Sequence, residues 1–370
     1  GKISGYRENE CADIMLIEEA YVGRALPEHG DLHSRGCLAK ARPGSAEPAY
    51  ITANPWWGKG GMIDYTNEDC GAYVHDNKRR ALIDKGVTGH WTDLGEPEMF
   101  NAESGYAVGD HAAAHNIFNF RWIRSIHEGY GRHGVSRRPF MMSRSGTAGI
   151  QRFGAAMWSG DIGSKLDNLD SHAANQKHMS FSGIDYYGSD IGGFHRGDIQ
   201  QDPDRKREMY TQWFAAGMML DAPGRPHTEN LCNCKETAPD RIGDLQANRE
   251  NARLRYRLIP YLYSLAHRAY RTGDPVMPPL VMYYQDDVNV RNRGQEKLVG
   301  RDLLTAVITG HGETRGNVYL PEGEWVDWHT NRRTSSDGVF KPVSLYPDGL
   351  FKLPLFARAG SIIPTAHVDE

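Results

Sequence analysis

Residues 81–96 read ALIDKGVTGHWTDLGE. Ala81, Leu82 and Ile83 form the last apolar turn of a helix, Gly86 supplies the turn after it, and Val87 to Trp91 is a short strand. A carboxylate, Asp93, stands just beyond the strand and beside Trp91. Helix, glycine turn, strand and strand-end acid make up one β/α unit, and in such units the residues leaving the strand face a cleft. The same Asp also suits a helix N-cap, and this stretch alone does not choose between the two.

The pattern recurs on both sides. Ile14 to Ile17 (IMLI) reads as a buried strand. His115 to Ile126 carries Ile117, Phe118, Phe120, Trp122, Ile123 and Ile126 at helical spacing. Arg138 to Ser143 (RPFMMS) is strand-like, and Met179 to Ile184 leads into GIDYYGSDIGGF. One amphipathic helix is predicted over about Asn248–Arg271, with Leu254, Leu258, Ile259, Leu262, Leu265 and Ala269 on one face, ending before Gly273 and Pro275. This alternation predicts parallel β/α units. After Leu280 the segments LLTAVI, GNVYL, EWVDW and LPLFARAGSIIP are short strands broken by Gly, Pro and Asp, an antiparallel pattern. The expected division is 1–285 and 286–370.

The 370 residues, 39% hydrophobic and 24% charged, suit a barrel-sized domain plus a smaller one. A net charge of −4 gives no reason to expect nucleic acid or an acidic membrane surface as a partner. There is no run of about 18 apolar residues, so no membrane span is predicted. Five cysteines define no disulfide framework, and the Cys232/Cys234 pair has no further ligands at metal-site spacing, so no metal is predicted. The chain opens GKISGYRENE without Met, which reads as the interior of a longer protein.

Four segments carry chemistry. Asp93 in WTDLGE is the first, and Asp161 in Trp158-Ser159-Gly160-Asp161 the second; Gly160 permits the tight turn that aims the acid, though a cap or Asx-turn is the plain alternative. The two acids are 68 positions apart, about two β/α units. Cleavage of a glycosidic bond needs two carboxyl groups flanking the anomeric carbon. The third segment is Ser143-Arg144-Ser145-Gly146, whose guanidinium fork suits sugar hydroxyls or a carboxylate. The fourth is Gly188 to Phe194 (GSDIGGF), which fits no phosphate-loop pattern and offers Asp190 as a rival acid.

Together these segments resemble glycoside hydrolase family 31, the α-glucosidase and α-xylosidase family. The likeness runs through WTDLGE, RPFMMSRSGTAG, the W-x-G-D segment at Trp158–Asp161, GSDIGGF, Arg225-Pro226-His227 and the upstream Trp56 to Asn67, in the family's order. The resemblance implies an α/β fold, a (β/α)8 TIM barrel followed by an antiparallel β-sandwich. It makes Asp93 the nucleophile and Asp161 the general acid/base of a retaining α-glycosidase. It puts Arg144 and His227 on sugar hydroxyls, Trp56, Trp91, Trp158 and Phe194 around the sugar, and Glu96 and Asp190 in the same binding set. It implies no metal, no organic cofactor, and an oligosaccharide or α-glycoside as substrate.

Two departures stand out. The motif reads D-L-G-E where α-glucosidases commonly have D-M-N-E, which leaves xylose, galactose, sulfoquinovose and other sugars open. The family's first two barrel strands and N-terminal sandwich have no counterpart, so the chain is expected to be a fragment offering strands three to eight. Transglycosylation at the same site and a non-catalytic carbohydrate-binding homologue are the competing functions.

Overall fold

A computed structural model describes residues 13–51, 58–97, 101–195, 202–226 and 238–368. Trp56, His227, Cys232 and Cys234 lie outside these. The chain divides into two compact units, meeting in sequence at Met157 and Trp158.

The first unit is built on parallel strands in the order β1 (Ile14–Glu19), β2 (Val87–Asp93), β3 (Phe140–Ser143), β4 (Ala155–Trp158). Their register aligns Glu19 with Asp93, Thr92 with Ser143, and Ser143 with Met157. Asp93 and Arg144 therefore leave neighbouring strands at the same end. Gly86 enters β2 at φ +105°, the turn that the sequence predicts.

The IMLI strand forms, but it is not buried as expected: Ile17 is 49% exposed. β1 pairs only with β2 among the described residues, so one side of the strand has no neighbour to cover it.

Two helices cover one face of this sheet. In α1 (Glu68–Val74) the Asn67 side chain accepts from the Asp69 and Cys70 amides. The helix α2 (Phe118–Arg132) buries Phe118, Trp122, Ile123 and Ile126 of the predicted stripe and adds Tyr130, while Ile117 and Phe120 are half-buried. Trp122 stacks on Tyr65 at 4.8 Å and 6°. A disulfide that the sequence did not reveal joins Cys37 to Cys70 at the start of α1.

The second unit holds α3 (Leu166–Phe181), the short strands β5 (Tyr187–Gly188), β6 (Asp190–Ile191) and β7 (Arg225–Pro226), and α4 (Pro203–Leu220). The single helix expected over 248–271 is two, α5 (Leu245–Arg257) and α6 (Ile259–Thr272). Pro260 lacks the N–H that would continue the first, and its ring excludes the preceding carbonyl, so the axis breaks at Leu258. Leu258 and Leu265 are buried as expected, whereas Ile259 is 46% exposed because the break turns it outward. Gly273 closes α6 at φ +78°.

Seven antiparallel strands follow: β8 (Glu296–Val299), β9 (Leu303–Ala306), β10 (Arg315–Leu320), β11 (Gly323–Asp327), β12 (Arg333–Ser336), β13 (Val339–Ser344) and β14 (Leu355–Arg358). They form a sheet ordered β8-β9-β14-β11-β12 and a ribbon of β10 with β13. Leu298, Leu304, Val318, Leu320, Trp325 and Phe356, drawn from both sheets, share one core, which is a β-sandwich.

Candidate active site

In the first unit, alternation along β2 sets two faces apart. Trp91 and Asp93 share one face, and His90 and Thr92 the other. The Asp93 carboxylate is 16% exposed, its Oδ1 accepts the Leu94 amide at 2.9 Å, and Arg144 Nε lies 3.4 Å away. Leu94 sits at φ +56°, a left-handed conformation that a leucine adopts only under constraint. This sharp step swings Glu96 back toward Arg144. The fork is bidentate: Nε to Oε1 at 2.7 Å and a terminal nitrogen to Oε2 at 2.9 Å. The Arg144 amide also donates to the Thr92 carbonyl at 3.3 Å, which ties its backbone to β2. One guanidinium thus faces two carboxylates.

Between Leu94 and Glu96, a Cβ on Gly95 would lie 2.2 Å from Asn119 Nδ2 and 3.3 Å from the Trp122 ring. Asn119 is buried and donates to Ser145 Oγ at 2.9 Å. The D-L-G-E spelling is therefore matched to an Asn on α2, a coupling that nothing local in the sequence announces.

The other face of the same strands carries a buried ion pair. Glu18 accepts from Arg79 Nε at 2.5 Å and meets His90 Nδ1 at 2.6 Å. Burial alone would raise the Glu18 pKa; the Arg79 charge and the His90 hydrogen bond outweigh it and hold the carboxyl at about 2.

In the second unit, Trp158 is buried and the chain turns at Gly160, φ +74°, to present Asp161 to solvent. The Ile162 carbonyl accepts the amides of Phe194 (2.9 Å) and His195 (3.2 Å), so the GSDIGGF segment lies alongside the Asp161 turn. Gly193 must be glycine there, because a Cβ would meet Ser164 Cα at 2.6 Å. Phe194 is half-buried beside His195.

Asp190 is 1% exposed and paired in register with Arg225, whose guanidinium approaches Oδ1 at 3.2 Å. Arg225 also covers the Trp158 ring at 5.1 Å. A buried acid beside a guanidinium charge is a poor proton shuttle, which disfavours Asp190 as the rival acid. Behind it, Asp221 accepts from His172 (2.9 Å), Gln176 (2.7 Å), and the Ser189 amide and hydroxyl (3.0 and 2.8 Å); Trp213 completes the chain by donating to Ser189 at 2.9 Å. The sequence reading passed over Asp221, His172 and the Arg225–Asp190 pair, since their partners are 32 to 49 positions away.

Comparison with known proteins agrees with these motifs. Residues 3–265 match the "Glycosyl hydrolases family 31 TIM-barrel domain", and residues 273–363 the "Glycosyl hydrolase family 31 C-terminal domain". Alpha-glucosidase 2 of Bacillus thermoamyloliquefaciens is 32% identical over 329 residues, which cover 85% of this chain and 40% of that protein. A dextranase of the same family from Flavobacterium johnsoniae, solved with glucose, superposes with a TM-score of 0.87 at 28% identity, covering 99% of this chain and 46% of that one. An α-xylosidase of the family from a soil metagenome, solved with xylose, gives 0.83 at 25% identity, covering 97% of this chain and 54% of that one. The chain thus spans about half or less of the length of these relatives. With its barrel-domain match over most of its length and its sandwich-domain match over the rest, the chain belongs to glycosyl hydrolase family 31.

Proposed function

We propose that this chain carries the reacting groups of a retaining α-glycosidase that cleaves terminal α-glycosidic bonds by double displacement, nearest to the α-glucosidases. The observation that carries the proposal is Asp93 at a strand end with Arg144 Nε 3.4 Å from its oxygen. The adjacent cation favours the ionised, nucleophilic carboxylate.

In the first step the Asp161 carboxyl gives its proton to the glycosidic oxygen. The aglycone leaves as an alcohol, and an Asp93 oxygen bonds to the anomeric carbon. In the second step the Asp161 carboxylate takes a proton from water, whose oxygen attacks that carbon and releases Asp93. Glu96 orients Arg144 and so acts as a positioning residue. Arg144, Trp91, Trp158, Phe194 and Asp190 form the sugar-binding set, together with Trp56 and His227. The working division is a catalytic part at 1–285 and a C-terminal sandwich at 286–370.

The test uses the full-length parent protein on 4-nitrophenyl α-glucoside, xyloside, galactoside and sulfoquinovoside. Turnover of one sugar with net retention is expected. Azide should rescue Asp93→Ala to a glycosyl azide of inverted configuration and Asp161→Ala to one of retained configuration. Exchange of these two outcomes would reverse the roles, and a folded protein that is inert toward every sugar and unlabelled by a 5-fluoro glycosyl fluoride would overturn the reading.

A further inference from the structure

Helix α1 runs without a break into a π-helical turn, His75–Arg79. Such turns insert one residue into the helical repeat and re-aim the side chains, often at functional sites. Here the turn sends His75 inward, where it is 1% exposed. Gly129 of α2 makes the room, since a Cβ there would lie 2.3 Å from the His75 ring. His133, the residue that ends α2, lays its ring parallel to that of His75, 5.7 Å away at 10°. Asp76, next on the turn, places Oδ1 2.7 Å from His133 Nε2. One ligand atom from each of the three side chains lies within 4.8 Å of the other two. The buried His75 Nδ1 has no hydrogen-bond partner among the described residues.

We propose that His75, Asp76 and His133 bind a divalent transition metal, Zn²⁺ by preference, with water in the fourth position. Two imidazoles and one carboxylate suit Zn²⁺ and exclude calcium and magnesium, which take oxygen donors. Tetrahedral bonds of about 2.0–2.1 Å place ligand atoms about 3.3 Å apart. The 2.7 Å contact must open slightly and the wider separations close. Asp76 and His133 are accessible enough to do this, at 41% and 17% exposure, around a fixed His75. The site lies on the first unit's helices and takes no part in the proposed hydrolysis.

Two arginines define the metal-free arrangement. Arg132 approaches Asp76 Oδ1 at 3.2 Å, and Arg80 donates to His133 Nδ1 at 2.8 Å. With Nδ1 accepting, Nε2 carries the proton and donates to Asp76. Ligation through Nε2 moves that proton to Nδ1, so Arg80 must turn away; Asp84, 3.8 Å from it, is ready to receive it. Arg80 is thus a competitor of the metal.

The experiment is equilibrium dialysis of the full chain against Zn²⁺ alone, followed by the Co²⁺ electronic spectrum. One Zn²⁺ per chain is expected, with affinity weakened about tenfold or more in His133→Ala and in Asp76→Asn. Arg80→Ala should bind more tightly, which removal of a merely structural contact would not produce. The Co²⁺ form should show tetrahedral bands with no sulfur charge-transfer band. Equal uptake by His133→Ala, no uptake by the parent chain, weaker binding by Arg80→Ala, or a sulfur band pointing to Cys232 and Cys234 would each overturn the proposal.

Discussion

Asp93 is the last residue of β2 and Asp161 comes three residues after β4, and the two stand in different surroundings. Asp93 is gripped through its side chain, with a backbone amide on one oxygen, a guanidinium at 3.4 Å and a strained Leu94 behind it. Asp161 is exposed just after the left-handed turn at the buried Gly160, and the Asp190–Phe194 segment runs alongside. A carboxylate that must stay ionised and form a bond gains from fixed positive partners. One that must take up and give back a proton gains from a site where the substrate itself can change the surroundings. A gripped Asp93 and an exposed Asp161 fit the proposed division of labour.

The sharpest way to break that contrast is to delete both acids separately. Asp93→Ala in the full-length parent should lower kcat by about 10⁴-fold or more on every substrate. Asp161→Ala should lower it comparably for alkyl glycosides but far less for a 4-nitrophenyl leaving group, which needs little protonation. Equal losses on both substrate types would remove the distinction.

A second test asks whether Asp221 is the foundation of the Gly188–Phe194 segment, through its bonds to Ser189. Asp221→Ala strands several buried donors and should destabilise the chain by about 3–5 kcal/mol, read by urea unfolding. A loss under about 1 kcal/mol would show that the segment stands without it.

The third concerns the charged face behind Asp93. Glu18 has a folded pKa of about 2 against an ordinary 4.5. Its contribution, about 3 kcal/mol, is therefore fully present above pH 4.5 and lost as pH falls through about 2. Glu18→Gln should flatten the stability profile between those values, and an unchanged slope would refute the pairing as an acid-stability determinant.

The smallest expected effect is steric. Gly95→Asn should cost about 1–3 kcal/mol by forcing Asn119 aside. Adding Asn119→Ala should recover part of that cost in a double-mutant cycle; strict additivity would show that the two positions do not couple.

The units of this fold were legible where local rules act alone. The glycine turn into β2, most of the apolar stripe of α2 and the strands in LLTAVI, GNVYL and EWVDW follow from period and punctuation, whereas LPLFARAGSIIP is a strand only over Leu355–Arg358. The long helix over 248–271 failed because its apolar spacing continues across Pro260, so periodicity masked a backbone break. Asp93, Glu96 and Arg144 could be singled out by type and place as candidates, but their ion pairing could not, since a fork between positions 48 apart is a product of the fold. The Gly95–Asn119 fit and the Asp221 hub were invisible for the same reason.

The Cys37–Cys70 bond bears on how this protein should be handled. It closes a loop of 33 residues, worth about 3–4 kcal/mol of chain entropy in the simplest treatment. Thiols of this kind stay reduced in a glutathione-buffered cytosol and oxidise along a secretory route. Batches made by the two routes are chemically different molecules, and a melting curve or a zinc titration carries meaning only once the redox state of that pair has been counted.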